Sequence, residues 1–488
     1  MTEPALRTEA FIDGRYVAAV DGRTFDCITP RDGSVLASVA RGDAADIDRA
    51  VVAARRAFDD GGWTYAAPAQ RGRILIRLSE LILEHAERLA QLESRDTGHP
   101  ISDARNVDVP GAAACFAWYG QAVDKVYGEI APTDSDALAL IGREPLGVVG
   151  AVVPWNYPLI ITAWKLAPAL AAGNSVVLKP AEQSPLSALA LAELAAEAGV
   201  PDGVLNVVPG FGEEAGQALG RHLDVDKVGF TGSVEVGRLF QRYAGESNGK
   251  QVSLELGGKS PQVVLADAPD LQTVAEAIGW GIFYNAGQTC HAGSRVVVQE
   301  SVADELRERL SAFASTFVPA DPASEDTVLG ALISSEHLDT VHERVRRARD
   351  DGAVVVYGGD DDAPPVAGGA YMGPMLIDSS DDPARAIVQD EVFGPVLTLQ
   401  TARDVDHALQ LANGTRYGLA AAVWSRDVST AGRLARRLRA GTVWVNTFDA
   451  ASLATPFGGM RDSGHGRDRS LHALDSYSQL KTTWISLK

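Results

Sequence analysis

The chain is 488 residues long and 46% hydrophobic, enough for two or three domains with substantial cores. Its 44 basic against 64 acidic residues leave a formal charge of −20, which opposes approach to phosphate backbones and anionic lipid surfaces, so neither a nucleic-acid partner nor a membrane partner is expected. Three scattered cysteines make no disulfide framework and no Cys or His pair has metal-ligand spacing, so no metal site is expected and the reading is a reducing, cytoplasmic compartment.

In chain order, the start MTEPALRTEAFIDGRYV has no basic segment leading into an apolar run, which fits neither a secretory signal nor a transit peptide. The longest apolar stretches, such as Val148 to Val153, are too short to cross a bilayer. A strand is predicted at ALALIGRE, Ala137 to Glu144, with no obvious place in a core. From Leu146 to about Ala244 strands and helices alternate. GVVGAVV suits a strand buried on both faces, and PLIITAWKLAPALAAG a helix closed by Gly173. SVVLKP gives a second strand, after which Ser184 and Pro185 supply an N-cap and first helical residue. VLNVV and DKVGF follow as third and fourth strands. This rhythm predicts a doubly wound parallel sheet.

From Gly257 to about Gly466 the α/β character repeats, with strands at PQVVLADA and SRVVVQ, helices at LQTVAEAIGWGIFYNAG and VADELRERLSAFAS, and a surface loop at GGDDDAPP. A second α/β domain is predicted. TTWISL, Thr482 to Leu487, is another strand without a core; with ALALIGRE it forms either an arm that extends a neighbouring subunit's sheet or a local hairpin.

Chemistry concentrates in a few stretches. In NAGQTCHAGSR, Cys290 sits among small and polar neighbours, whereas a structural cysteine keeps apolar company. GFTGSVEVG, Gly229 to Gly237, falls where a strand hands over to a helix, so free amides and the helix dipole suit a pyrophosphate. GFGEEAG nearly matches a dinucleotide fingerprint, but one residue too many and two glutamates mark it as a turn and helix start. The first strand leads into PWNYP with no glycine fingerprint, so bound phosphates sit in an unusual way. Lys179 and Glu182 of LKPAEQSP fall at the carboxyl end of the second strand, from which a carboxylate accepts hydrogen bonds from an adenosine ribose and repels a 2′-phosphate. NAD is therefore expected, with NADP less favoured. In QVSLELGGKSP, Glu255 alternates with Val252, Leu254 and Leu256, which turns it to the face opposite the apolar one.

PWNYP, LKPAEQSP, GFTGS, LELGGKSP, GQTCHAGSR, EVFGPV, NGTRYGLAAAVWSRD and PFGGMRDSGHGRD, in this order over nearly the whole chain, resemble the NAD(P)-dependent aldehyde dehydrogenases. The resemblance implies a Rossmann-like NAD-binding domain from 1–122 and 146–256, a catalytic domain from 257–466, and an oligomerisation arm and tail from 123–145 and 467–488, in a homodimer or homotetramer. It implies Cys290 as nucleophile, Asn156 as oxyanion donor and Glu255 as the base that activates water. It gives Trp155, Lys179, Glu182, Gly229, Gly232, Ser233, Glu391 and Phe393 cofactor positions, and lines the aldehyde tunnel with Tyr157, Trp164, Thr289, His291, Phe448 and Phe457. A Cys290 and His291 dyad is not expected, because adjacent side chains seldom point the same way. Cys27 and Cys115 are expected to be inert.

The closing stretch and WVNTFD look most like the subgroup oxidising γ-glutamyl-γ-aminobutyraldehyde and other ω-amino aldehydes, and Asp449 is a candidate partner for a substrate ammonium. Glu255 favours hydrolysis over acyl transfer to coenzyme A. A broad-specificity or betaine-type dehydrogenase, a coenzyme A-acylating one and a non-catalytic binding protein are the alternatives.

Overall fold

The computed structural model describes residues 6–359 and 363–488; the start of the chain through Ala5 and the centre of the GGDDDAPP loop lie outside them. An eight-stranded sheet forms the first layer system, in the order Gly464–His465, Gln251–Leu256, Lys227–Gly232, Val148–Val152, Ser175–Lys179, Leu205–Val207, Ala10–Ile12 and Arg15–Val17. Its five central strands are parallel, and the Val148–Val152 and Ser175–Lys179 strands are buried at every position, which is why they read as unbroken apolar runs. Strand order reverses at Val148–Val152, and PWNYP emerges from the carboxyl end of that strand, where open α/β sheets leave a crevice.

A second sheet of seven strands runs Val354–Tyr357, Met375–Asp378, Val396–Ala402, Arg295–Gln299, Pro261–Val264, Ala420–Trp424 and Thr442–Val445, parallel except at the first. The chain thus has the two-sheet, doubly wound α/β architecture expected. At its far end the Gly464–His465 segment returns to the first sheet, pairing antiparallel with Leu254 and Glu255.

The two orphan strands find each other. Ala137–Pro145 pairs antiparallel with Ser478–Ser486 over nine residues, and Glu129–Ala131 completes a three-stranded sheet. This sheet carries exposed Ile130, Leu140, Leu480, Trp484 and Ile485, with Trp484 66% exposed.

One local expectation is corrected. The helix Leu186–Ala198 starts one residue late, with Pro185 in the cap position and no side-chain cap from Ser184. The first amide is satisfied from elsewhere: Leu186 N–H donates to Asp96 Oδ2 at 2.9 Å. A buried carboxylate from another helix outcompeted the local serine. GFGEEAG forms the expected turn and helix start, and its Glu214 is held by Arg41 through two bonds of 2.9 and 2.7 Å.

The arm is fixed to the first sheet by Asn174, which follows Gly173 in its left-handed conformation (φ 97°). Asn174 is fully buried. Its Oδ1 accepts from Leu146 and Gly147 N–H at 2.7 and 3.1 Å, and its Nδ2 donates to Ala169 and Tyr477 carbonyls at 3.0 and 2.9 Å. Both arm strands therefore leave the core beside one side chain. Asn174→Ala removes four hydrogen bonds to backbone groups and is expected to lower unfolding stability by about 3 kcal/mol or more; a guanidinium melt of the variant beside the wild type measures it.

Candidate active site

The sequence places the candidate groups on two facing loops. PWNYP leaves the first sheet after Val152, and 285–291 follows the helix Leu271–Phe283 of the second. Asn285, Ala286 and Gly287 are successively left-handed (φ 49°, 52° and 72°), a costly arrangement for the two residues with side chains, held only because the surroundings impose it. At Gly287 a Cβ would stand 2.1 Å from the Gly394 carbonyl, so no larger residue fits. Side-chain amides join the loops: Asn285 Nδ2 donates to the Asn156 carbonyl at 3.0 Å, and Asn156 Nδ2 donates to the Gln288 carbonyl at 2.8 Å. An amide carries two N–H groups, so Asn156 keeps one for another acceptor. The Tyr157 hydroxyl and Thr289 Oγ1 share a 2.7 Å hydrogen bond. Cys290 is half-buried, whereas Cys27 and Cys115 are buried, with thiols pushed far up by burial.

His291 corrects an expectation. Its Nδ1 lies 3.8 Å from Cys290 Sγ and its Nε2 2.8 Å from Asp449 Oδ1, so adjacency did not turn the two side chains apart; the carboxylate draws the ring over the thiol. Burial alone would lower the imidazole, but Asp449 outweighs it and lifts His291 to about 10. Asp449 is thereby engaged by an imidazolium rather than left for a substrate ammonium. The same ring meets Trp444, Phe448 and Phe457 at centroid distances of 6.0, 6.4 and 5.5 Å, and Phe457 meets Trp164 at 5.5 Å. Trp164, His291, Phe448 and Phe457 therefore form one connected group, beside which Tyr157 and Thr289 make a separate hydrogen-bonded pair.

Glu255 is buried, and neither carboxylate oxygen has a hydrogen-bond partner. Burial pushes it well above the usual carboxylate range, with Asp468 adding to the rise and Lys165 opposing it. Room beside it comes from Gly458, where a Cβ would stand 2.6 Å from Glu255 Oε1. Lys165 and Asp468, both buried, form a 2.6 Å ion pair next to this group. Sequence reading missed that pair; the one signal was a lysine inside the apolar helix Pro158–Ala172.

The cofactor candidates split. Lys179 Nζ and Glu182 Oε2 meet at 2.8 Å past the end of the Ser175–Lys179 strand. Gly232 ends its strand, and Ser233 caps the helix Val234–Gly245 by accepting from Val236 N–H at 3.3 Å. Glu391 accepts from Gly258 N–H at 3.0 Å, and a Cβ at Gly257 would stand 1.9 Å from its Oε2. Burial lifts Glu391 to about 7, with Gly258 N–H and Lys259 pulling against it. Trp155 packs edge-on against Phe393 and His337 at 5.3 and 5.4 Å, and His337 Nε2 contacts the Phe393 carbonyl at 2.8 Å. Gly229 does not join them. It lies in mid-strand, paired with Ala151 and Ser253, and its missing side chain leaves space beside Tyr477 and Lys165. Among the described residues no His, Cys, Asp and Glu cluster suits a metal, and no helix is long and apolar enough to cross a membrane.

The sequence profile described as "Aldehyde dehydrogenase family" matches residues 16–483. The chain belongs to the aldehyde dehydrogenase family. It is 50% identical to the NADP/NAD-dependent aldehyde dehydrogenase PuuC of Escherichia coli K12, over 99% of this chain and 97% of that protein. Among solved structures it resembles an indole-3-acetaldehyde dehydrogenase bound to NAD+ (TM-score 0.97, 50% identity, 99% and 97% of the two chains). It is equally similar to a gamma-glutamyl-gamma-aminobutyraldehyde dehydrogenase from Burkholderia cenocepacia (TM-score 0.97, 49% identity, 99% and 97% covered).

The His291–Asp449 pair makes a signed prediction. A histidine raised by its partner stabilises fully below its unfolded value and loses that contribution as pH climbs through the folded one. The melting-temperature deficit of Asp449→Asn should be largest between about pH 4 and pH 6.5, where Asp449 is ionised and His291 protonated in both states, and vanish near pH 10; because Asp449 is half-exposed, salt should shrink it.

Proposed function

We propose that this aldehyde dehydrogenase oxidises an aldehyde to a free carboxylic acid with NAD, on ω-amino or γ-glutamylamino aldehydes. The observation that carries the hydrolytic reading is Glu255: a buried, unpartnered carboxyl group with a raised pKa, on a strand end beside the nucleophile loop. The Cys290 thiolate adds to the carbonyl carbon, forming the sulfur–carbon bond of a thiohemiacetal. The oxyanion takes hydrogen bonds from the free N–H of Asn156 and from the Cys290 backbone amide. NAD, when bound, supplies the hydride acceptor. The thioester left on Cys290 is hydrolysed by water that Glu255 deprotonates, so oxygen replaces sulfur on the acyl carbon and the thiol is regenerated.

The cofactor cradle fits a dinucleotide: Lys179 and Glu182 for the adenosine ribose, the helix start at Ser233 for the pyrophosphate, and Glu391 for the second ribose, with Trp155 and Phe393 beside it. Glu182 favours NAD, although the PuuC relative is named for both cofactors. The γ-glutamylamino assignment draws on the name of the Burkholderia structure and on the chain's closing stretch. The exposed apolar face of the arm supports a homodimer or homotetramer, and the composition supports a cytoplasmic enzyme.

Cys290→Ser is expected to cut NAD-dependent aldehyde oxidation at least about a thousand-fold. Glu255→Gln should give a burst of one NADH per subunit followed by turnover slowed about a hundred-fold or more, and trapped acyl-enzyme should be visible by intact-protein mass spectrometry. Turnover without a burst in this variant, or acyl-coenzyme A as product, would set the reading aside. Because a raised carboxyl costs stability once pH passes its unfolded value, the melting temperature of Glu255→Gln should gain on the wild type as pH rises above about 4.5.

A further inference from the structure

Arg469 lies against the tunnel rings and has no role in the chemistry above. It is 8% exposed, with its guanidinium carbon 5.2 Å from the Trp164 ring centroid and 5.0 Å from that of Phe457. Its Nε is buried without a hydrogen-bond partner. The two carboxylates that face it are committed elsewhere: Asp449 to His291 at 2.8 Å and Asp468 to Lys165 at 2.6 Å. The backbone at Arg469 and Ser470 is left-handed (φ 60° and 53°), a conformation that persists only where surrounding structure imposes it.

The charges around the tunnel do not cancel. His291 with Asp449 and Lys165 with Asp468 are neutral pairs, and Glu255 is held toward its neutral form by burial. That leaves Arg469 as an uncompensated buried cation. Such a charge costs stability unless something pairs with it, and stacking on two aromatic faces recovers only part of that cost. A planar guanidinium matches a carboxylate through paired hydrogen bonds. Three contacts lead from it to the nucleophile: Arg469 to Phe457, Phe457 to His291 at 5.5 Å, and His291 to Cys290 at 3.8 Å.

We propose that Arg469 is a specificity-determining residue that binds a carboxylate on the tail of the aldehyde substrate, which rests on the aldehyde-oxidising reading above. Within that reading it selects carboxylate-bearing aldehydes, such as γ-glutamylamino or ω-oxo acids, over those ending in a bare ammonium. An ammonium in the same place would meet the Arg469 cation, with Asp449 already taken by His291.

The test is kcat/KM for adipic semialdehyde against its methyl ester, in the wild type, Arg469→Gln and Arg469→Lys. The wild type should prefer the acid by about ten- to a hundred-fold. Arg469→Gln should abolish the preference while leaving kcat for the ester nearly intact, and Arg469→Lys should retain part of it. Equal kcat/KM for acid and ester in the wild type, or a preference that survives in Arg469→Gln, overturns the proposal. If Arg469→Gln does not fold, the wild-type ratio and Arg469→Lys decide. Turnover of no aldehyde at all would defeat the parent reading instead. In that case protection of Cys290 from iodoacetamide by glutarate still reads the anion site: protection weakened in Arg469→Lys supports it, and no protection of the wild type, or protection unchanged in Arg469→Lys, sinks it.

Discussion

The active site depends on a pair of side-chain amides that hold two loops from different sheets at fixed distance. Asn285 donates to the Asn156 carbonyl, and Asn156 donates to the Gln288 carbonyl. Gln288 in turn receives Ile333 N–H at 2.9 Å and donates to Asn285 and Ala331 carbonyls at 3.1 and 3.4 Å. Each of these amides is buried, so losing any one partner leaves polar groups where water does not compensate. The cost of three consecutive left-handed residues at 285–287 is met by this lattice, and Cys290 takes its place from it.

Around that seam, environment rather than residue type assigns chemical states. Glu182 and Glu255 both belong to the proposed machinery, yet one is ion-paired at a partly exposed strand end and the other is buried with no partner. The first is oriented by Lys179, which suits it to holding hydroxyls. The second is held toward its acid form and becomes a base only when something draws its proton away. His291 is driven the opposite way, into a persistent cation, by one carboxylate.

Most of the architecture was legible because its signals are local. Strands buried on both faces read as apolar runs, and Gly173 ends its helix where the chain must turn left-handed. Cys290 stood out by its neighbours, and Glu255 by alternation ahead of two glycines. What stayed hidden was set by contacts distant in sequence. Asp96 reaches across to cap the helix that Ser184 was expected to start. Gly229 lies in the motif that suggested a turn but serves the middle of a strand. The pairing of Asp449 with His291, and of Asp468 with Lys165, spans a distance in sequence that no spacing rule covers. Nothing in the sequence marks Arg469; the rings of Trp164 and Phe457, distant in the chain, single it out.

The return of Gly464–His465 to the first sheet has a consequence for how the protein is made. During synthesis the strand Gln251–Leu256 emerges with a bare outer edge, and the two residues that cover it at Leu254 and Glu255 follow only after the entire second sheet has been translated. Open edges invite pairing with other chains, so the nascent polypeptide carries such an edge at the position of its proposed base. Completion of the first sheet is thus a terminal event in biogenesis, and an enzyme truncated before Gly464 would lack both that edge cover and a settled surrounding for Glu255.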